Sequence, residues 1–209
     1  MLLFLIPILL ISITFHEYSH GWMASKLGDP TPRESGRLTF NPLAHIDPFG
    51  TVILPFLLLV VSQGAFAFGY AKPVPINPYH FKNPKKDIMW VGLSGPAANF
   101  LLALILIAFL KAGIMMFPKI LNEAIILGII INFILGTFNL IPIPPLDGSK
   151  IVASFLPYRI SYKYLRMEMV GFLIMMILIM SGFFRWFISY FVFPVINMIL
   201  SAFGINVVI

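Results

Sequence analysis

Residues 13–22 read ITFHEYSHGW, and they set two imidazoles and a carboxylate, His16, Glu17 and His20, inside a run that is otherwise oily. An ionisable group is costly in an apolar helix and is there for function as a rule. Residues four apart on a helix share a face, so both rings can reach one ion while Glu17 can face a water beside it. With this composition the pattern H-E-x-x-H arises by chance in about one chain in a thousand. Histidines that only brace neighbouring helices or line a proton path are the plainer alternative. That alternative leaves the adjacent glutamate without a role.

Working outward, the same oiliness extends along the chain. Of its 209 residues 59% are hydrophobic and 11% charged, where soluble domains are about a quarter charged. Apolar runs fall at roughly 2–24, 49–68, 88–110, 122–142, 168–184 and 187–205, several of them near the 20 or so residues that cross a hydrocarbon core. The fold class expected is an all-α polytopic membrane protein of five to six transmembrane helices. The run from Met1 to Phe15 has no basic stretch ahead of it and no small-residue cleavage site after it, so it is expected to stay as the first span.

The absence of cysteine removes disulfides and thiolate metal sites together, leaving His, Asp and Glu as metal ligands. A net charge of +6 invites a nucleic-acid partner. The basic residues, however, sit in short loops beside apolar spans, where the positive-inside bias and anionic lipid account for them. No nucleic-acid partner is expected.

Orientation follows from Lys and Arg. Lys26, Arg33 and Arg37, then Lys72, Lys82, Lys85 and Lys86, then Lys150, Arg159, Lys163 and Arg166 all fall on the cytoplasmic side if 49–71 enters the membrane and returns to the same face. Eleven basic residues then lie inside and three, Lys111, Lys119 and Arg185, outside. The stretch SQGAFAFGYAKPVP, residues 62–75, has the Gly and Pro breaks that such a return needs. This predicts a membrane-dipping extended or β segment.

Catalytic zinc usually has three protein ligands and an open position, so the two histidines need a partner. Asp29, Glu34, Asp47 and Asp87 lie in loops, Glu123 lies near the outer face and Glu168 opens a span. Asp147 ends NLIPIPPLDG, where Pro142, Pro144 and Pro145 stop a helix and force extended backbone at a depth that only a polar cavity tolerates. An ordinary helix stop is the simpler reading of that run. His16 and Asp147 are both expected near the inner boundary, one on each of two helices that run inward. Such a site hydrolyses an amide, with Glu17 moving the proton. Asn139 is the candidate oxyanion donor, alongside its plain reading as a helix C-terminal polar residue. His45 and His80 have no partner spacing and read as satisfied loop histidines.

HEYSH, then GLSGPAANF (Gly92 to Phe100), then FNLIPIPPLDGSK (Phe138 to Lys150) stand in the order of the site-2 protease family of intramembrane zinc metalloproteases, which the chain resembles over residues 1 to about 155. NPLAHIDPFGT and GYAKPVPIN are similar to the compact bacterial and archaeal branch, without a peptide-binding module. The resemblance implies one zinc ion per chain on His16, His20 and Asp147, Glu17 as base, and Asn139 as an oxyanion or substrate contact. It also implies that GYAKPVP presents an edge to an unwound substrate helix. Residues 1–209 then form a single membrane-embedded peptidase domain, with a catalytic core over about 1–155 and a C-terminal helical pair over about 165–206. Its partners are the lipid bilayer and a membrane-protein substrate, its place is the cell membrane, and its active site lies near the cytoplasmic face. The rivals are an inactive zinc-bearing scaffold, an ion transporter, and a peptidase whose third ligand is a glutamate such as Glu123 or Glu168. The other spans are nearly uncharged, which leaves a transport path without stepping stones.

Overall fold

The computed structural model describes residues 2–61, 63, 69–113 and 117–205. They are helical, with no strand among the described residues. The main elements are α1 (Leu2–Lys26), α2 (Pro48–Val61), α3 (Pro84–Gly113), α4 (Lys119–Asn139), α5 (Asp147–Phe155), α6 (Tyr158–Leu165), α7 (Glu168–Met180) and α8 (Phe183–Ala202). Three of these, α3, α4 and α8, are long and apolar enough to cross a membrane. Helix α1 has 25 residues, which is about 37 Å at 1.5 Å each, but its second half carries His16, Glu17 and His20.

The other two expected spans are shorter helices. Helix α7 stops at Met180 because Gly182 takes a left-handed φ of 77° two residues on and starts α8 in a new direction. Helix α2 opens with a π-helical stretch at Pro48–Ile53 and ends at Val61, ahead of residues 62 and 64–68, which lie outside the described residues together with that part of the expected membrane return. The rest of that stretch, residues 69–77, has no regular secondary structure. It pairs with no strand, because its groups are taken singly by loops and side chains.

Apolar packing holds α3, α4 and α8 around Ile107, Leu110, Ile129, Phe133, Ile196 and Leu200. Leu146, Met175 and Phe184 tie the proline run to α7 and α8. A smaller cluster of Ala24, Phe81 and Val91 joins the end of α1 to the start of α3. Between apolar helices close approach and polar bridges matter more than greasiness, since lipid is as apolar as leucine. Glycines provide the approach. At Gly92 an added Cβ would stand 3.0 Å from Lys150 and 3.1 Å from the Asp147 carbonyl oxygen, so α5 rides directly on α3.

Candidate metal centre

Helix α1 presents His16 and His20 on one face, four residues apart, with ring centroids 4.7 Å apart and the planes nearly perpendicular. The proline run ends in Asp147, the first residue of α5. The three meet: Asp147 Oδ2 lies 3.0 Å from His16 Nε2 and 3.1 Å from His20 Nε2, and the two Nε2 atoms lie 3.0 Å apart. All three side chains are buried.

Their outer atoms are already engaged. His20 Nδ1 donates to the Val91 carbonyl at 2.7 Å, His16 Nδ1 donates to Asn99 Oδ1 at 2.6 Å, and Lys150 Nζ donates to Asp147 Oδ1 at 2.8 Å. A neutral imidazole has one N–H, and in both rings it is used on the Nδ1 side. Three lone-pair atoms therefore face one another with no proton between them, an arrangement that fits a cation. The ligand atoms of a tetrahedral zinc stand roughly 3.3 Å apart for bonds of 2.0–2.1 Å, close to the spacing here. His16, His20 and Asp147 thus form a possible metal site. Gly95 supplies its floor: a Cβ there would reach 2.5 Å from His20 Nε2 and 2.6 Å from His16 Nε2.

A family profile described as Peptidase family M50 matches residues 4–125 and 112–182. The chain belongs to this family, the site-2 proteases. It is 36% identical over 201 residues to "Putative zinc metalloprotease YwhC" of Bacillus subtilis, covering 93% of this chain and 86% of that one. It is 31% identical over 183 residues to "Putative zinc metalloprotease Rip2" of Mycolicibacterium smegmatis, covering 85% and 67%. "Zinc metalloprotease MJ0392" of Methanocaldococcus jannaschii is 24% identical over 158 residues, or 74% of this chain and 35% of that one. No solved structure matches. This M50 chain is a membrane protein and a zinc metalloprotease.

The other expected site residues are held by partners outside this three-residue cluster. Glu17 is half-buried, and its Oε2 accepts the Val74 amide proton at 3.0 Å. Asn139, in the last turn of α4, donates its side-chain amide to the Leu135 carbonyl at 3.0 Å. The loop histidines have local partners: His45 Nε2 bonds the Thr39 carbonyl at 2.9 Å and His80 Nδ1 bonds Asp29 Oδ1 at 3.0 Å.

Sequence reasoning overlooked Lys150, Asn99 and Asn132. Lys150 ties up one Asp147 oxygen and leaves Oδ2 as the oxygen that faces the histidines. Asn99 and Asn132 are amides in otherwise apolar helices, a signal as good as the charges that were sought. Outside the helices, Asp29 is fully buried and accepts from Thr31 N, Thr31 Oγ1, Asn77 N and His80. Burial alone would raise its pKa. The bonds from Thr31, Asn77 and His80 outweigh it and hold the carboxyl below its ordinary range.

Proposed function

We propose that this chain is an intramembrane zinc endopeptidase that hydrolyses peptide bonds within or near the transmembrane segments of membrane-anchored proteins. The observation that carries the reading is the convergence of His16 Nε2, His20 Nε2 and Asp147 Oδ2 within 3.1 Å, buried among apolar helices. Zinc, when bound, supplies a Lewis acid that polarises the scissile carbonyl and acidifies water. Glu17 takes the proton of the attacking water at its carboxylate and delivers it to the leaving nitrogen. Asn139 turns its amide from Leu135 toward the developing oxyanion when substrate is present.

In this proposal α1 and the shorter helices complete five to six crossings, and residues 69–77 dip into the membrane as the substrate's docking edge. Several groups of that segment are tied inward: Tyr70 N to Gly50 O, Lys72 N to His45 O, Lys72 O and Pro73 O to Arg37, Val74 N to Glu17, and Asn77 N to Asp29. Between them Pro73 and Pro75 lack a donor, and the Ala71 N–H is free among the described residues. An unwound substrate can add along this edge. Local unwinding is required, because a helical amide is sheathed by its own turn.

The test is Glu17→Gln. It is expected to keep one zinc per chain while lowering cleavage of a membrane-anchored substrate by about 10²- to 10⁴-fold. Undiminished cleavage sinks the assignment, and zinc without cleavage in the parent chain indicates a scaffold.

A further inference from the structure

The two ligand rings are oriented by different means. His20 Nδ1 faces a backbone carbonyl, which only accepts, so α3 itself fixes that proton. His16 Nδ1 faces the Asn99 side chain at 2.6 Å, and a primary amide can present either its oxygen or its NH2. Two acceptors on the far side of the amide settle the choice. Asn99 Nδ2 reaches Asn132 Oδ1 at 2.9 Å and the Ser12 carbonyl at 3.3 Å. Asn132 Nδ2 reaches the Gly128 carbonyl at 2.8 Å and Ser12 Oγ at 2.9 Å. The Ser12 hydroxyl donates its proton to the Ile8 carbonyl at 2.8 Å.

The carbonyls at Gly128 and Ile8 cannot be turned round. The Asn132 NH2 must face Gly128 and Ser12, which aims its oxygen at Asn99; the Asn99 NH2 must then face Asn132, which aims its oxygen at His16. Ser12, Asn99 and Asn132 are 1%, 0% and 1% exposed, so bulk water does not compete for these bonds.

We infer that Ser12, Asn132 and Asn99 form a directional hydrogen-bond relay that holds the His16 proton on Nδ1 and so keeps the Nε2 lone pair aimed at the metal. The inference rests on the proposed reading of His16 as a zinc ligand. Asn132 is a positioning residue two side chains removed from the ion, on a helix that contributes no ligand. Packing of α4 against α3 and α1 is thereby coupled to metal affinity. An asparagine pair that merely glued helices together would affect stability alone.

The experiment uses the full chain purified in detergent, with zinc affinity measured by chelator competition and thermal unfolding followed in parallel. Asn132→Leu removes the shorter of the two acceptors that hold the Asn99 NH2, leaves the Ser12 carbonyl at 3.3 Å as the other, and is expected to weaken zinc binding about 10-fold, the low end of the range for losing an outer partner of a ligand. Asn99→Leu removes the amide that turns, so Asn132→Leu placed on top of it should change zinc affinity less than twofold. An equal loss in both backgrounds, or no loss in the first, overturns the relay. If Asn132→Leu fails to fold, Asn132→Ala replaces it in both backgrounds: the relay requires it to lose zinc only where Asn99 is present, whereas glue alone costs both the same. A parent chain without stoichiometric zinc overturns the relay together with the proposed function. A zinc-bearing parent with an insensitive Asn132→Leu overturns the relay alone.

Discussion

Gly95 shows how much a single hydrogen atom in place of a methyl decides. The space a Cβ would occupy, 2.5–2.6 Å from both Nε2 atoms, borders the space in which the lone pairs of the possible metal site meet. Alanine is a better helix former than glycine by about 1 kcal/mol, so Gly95→Ala is not expected to weaken α3. It is expected to drop bound zinc from one per chain to near none while the helical circular dichroism persists; zinc retained in full would falsify the cradle. A second residue-scale prediction concerns Asp29, outside the membrane-spanning helices. Its carboxyl is held below its ordinary range in the folded chain, so the stability it contributes is fully present above the unfolded pKa of about 3.9 and is lost as pH falls through the lower folded value. Asp29→Asn should melt lower than the parent at pH 7, and the gap should narrow in melts taken progressively below pH 4. A gap that stays constant down to pH 2 contradicts the bonding described for Asp29.

At the scale of elements, the segment 69–77 is held by bonds from the Tyr70, Lys72, Val74 and Asn77 amides, and the Ala71 N–H between the first two is free among the described residues. Ala71→Pro removes that donor and touches neither zinc nor the inward bonds. One backbone hydrogen bond contributes about 0.5–1.5 kcal/mol, so kcat/KM on a membrane substrate should fall roughly 2- to 12-fold with zinc content unchanged; an unaltered kcat/KM rules out substrate addition at this position. How much of this was legible beforehand differs by element for physical reasons. The helix bearing His16 and His20 could be read because metal spacing on one helix is a local pattern. Asp147 could be read because Pro142, Pro144 and Pro145 break a helix where an apolar run ends. The Glu17 contact with Val74 could not, because its partner is a backbone amide with no sequence signature. Asn99 and Asn132 each stood out as an amide in an apolar helix, but their pairing could not be read, because they lie 33 residues apart with no spacing rule to join them. The end of α7 depended on a left-handed φ at Gly182, which a hydropathy run passes over.

For the whole molecule the sidedness of the centre follows from charge. Lys82, Lys85 and Lys86 precede or open α3, and Arg159, Lys163 and Arg166 lie on or just after α6; all six are exposed. Asp147 and the start of α3 lie beside each other through Gly92, so both basic groups flank the end of the bundle that holds the metal centre. Lys111 and Lys119 stand at the opposite ends of α3 and α4. Basic loops are retained on the cytoplasmic side as a rule, and the proposed topology accordingly sets the centre near that face. The chain has no cysteine, so single replacements report without background. Lys85→Cys and Lys163→Cys should resist an impermeant maleimide added to intact cells and react after lysis, whereas Lys119→Cys should react from outside. Labelling of Lys85→Cys and Lys163→Cys in intact cells would invert the orientation, and labelling of one without the other would mean that an odd number of crossings separates them. With both inside, a substrate of the proposed intramembrane protease would bring its scissile bond to the cytoplasmic end of its span, where helix ends fray most readily and the proposed edge at Ala71 lies.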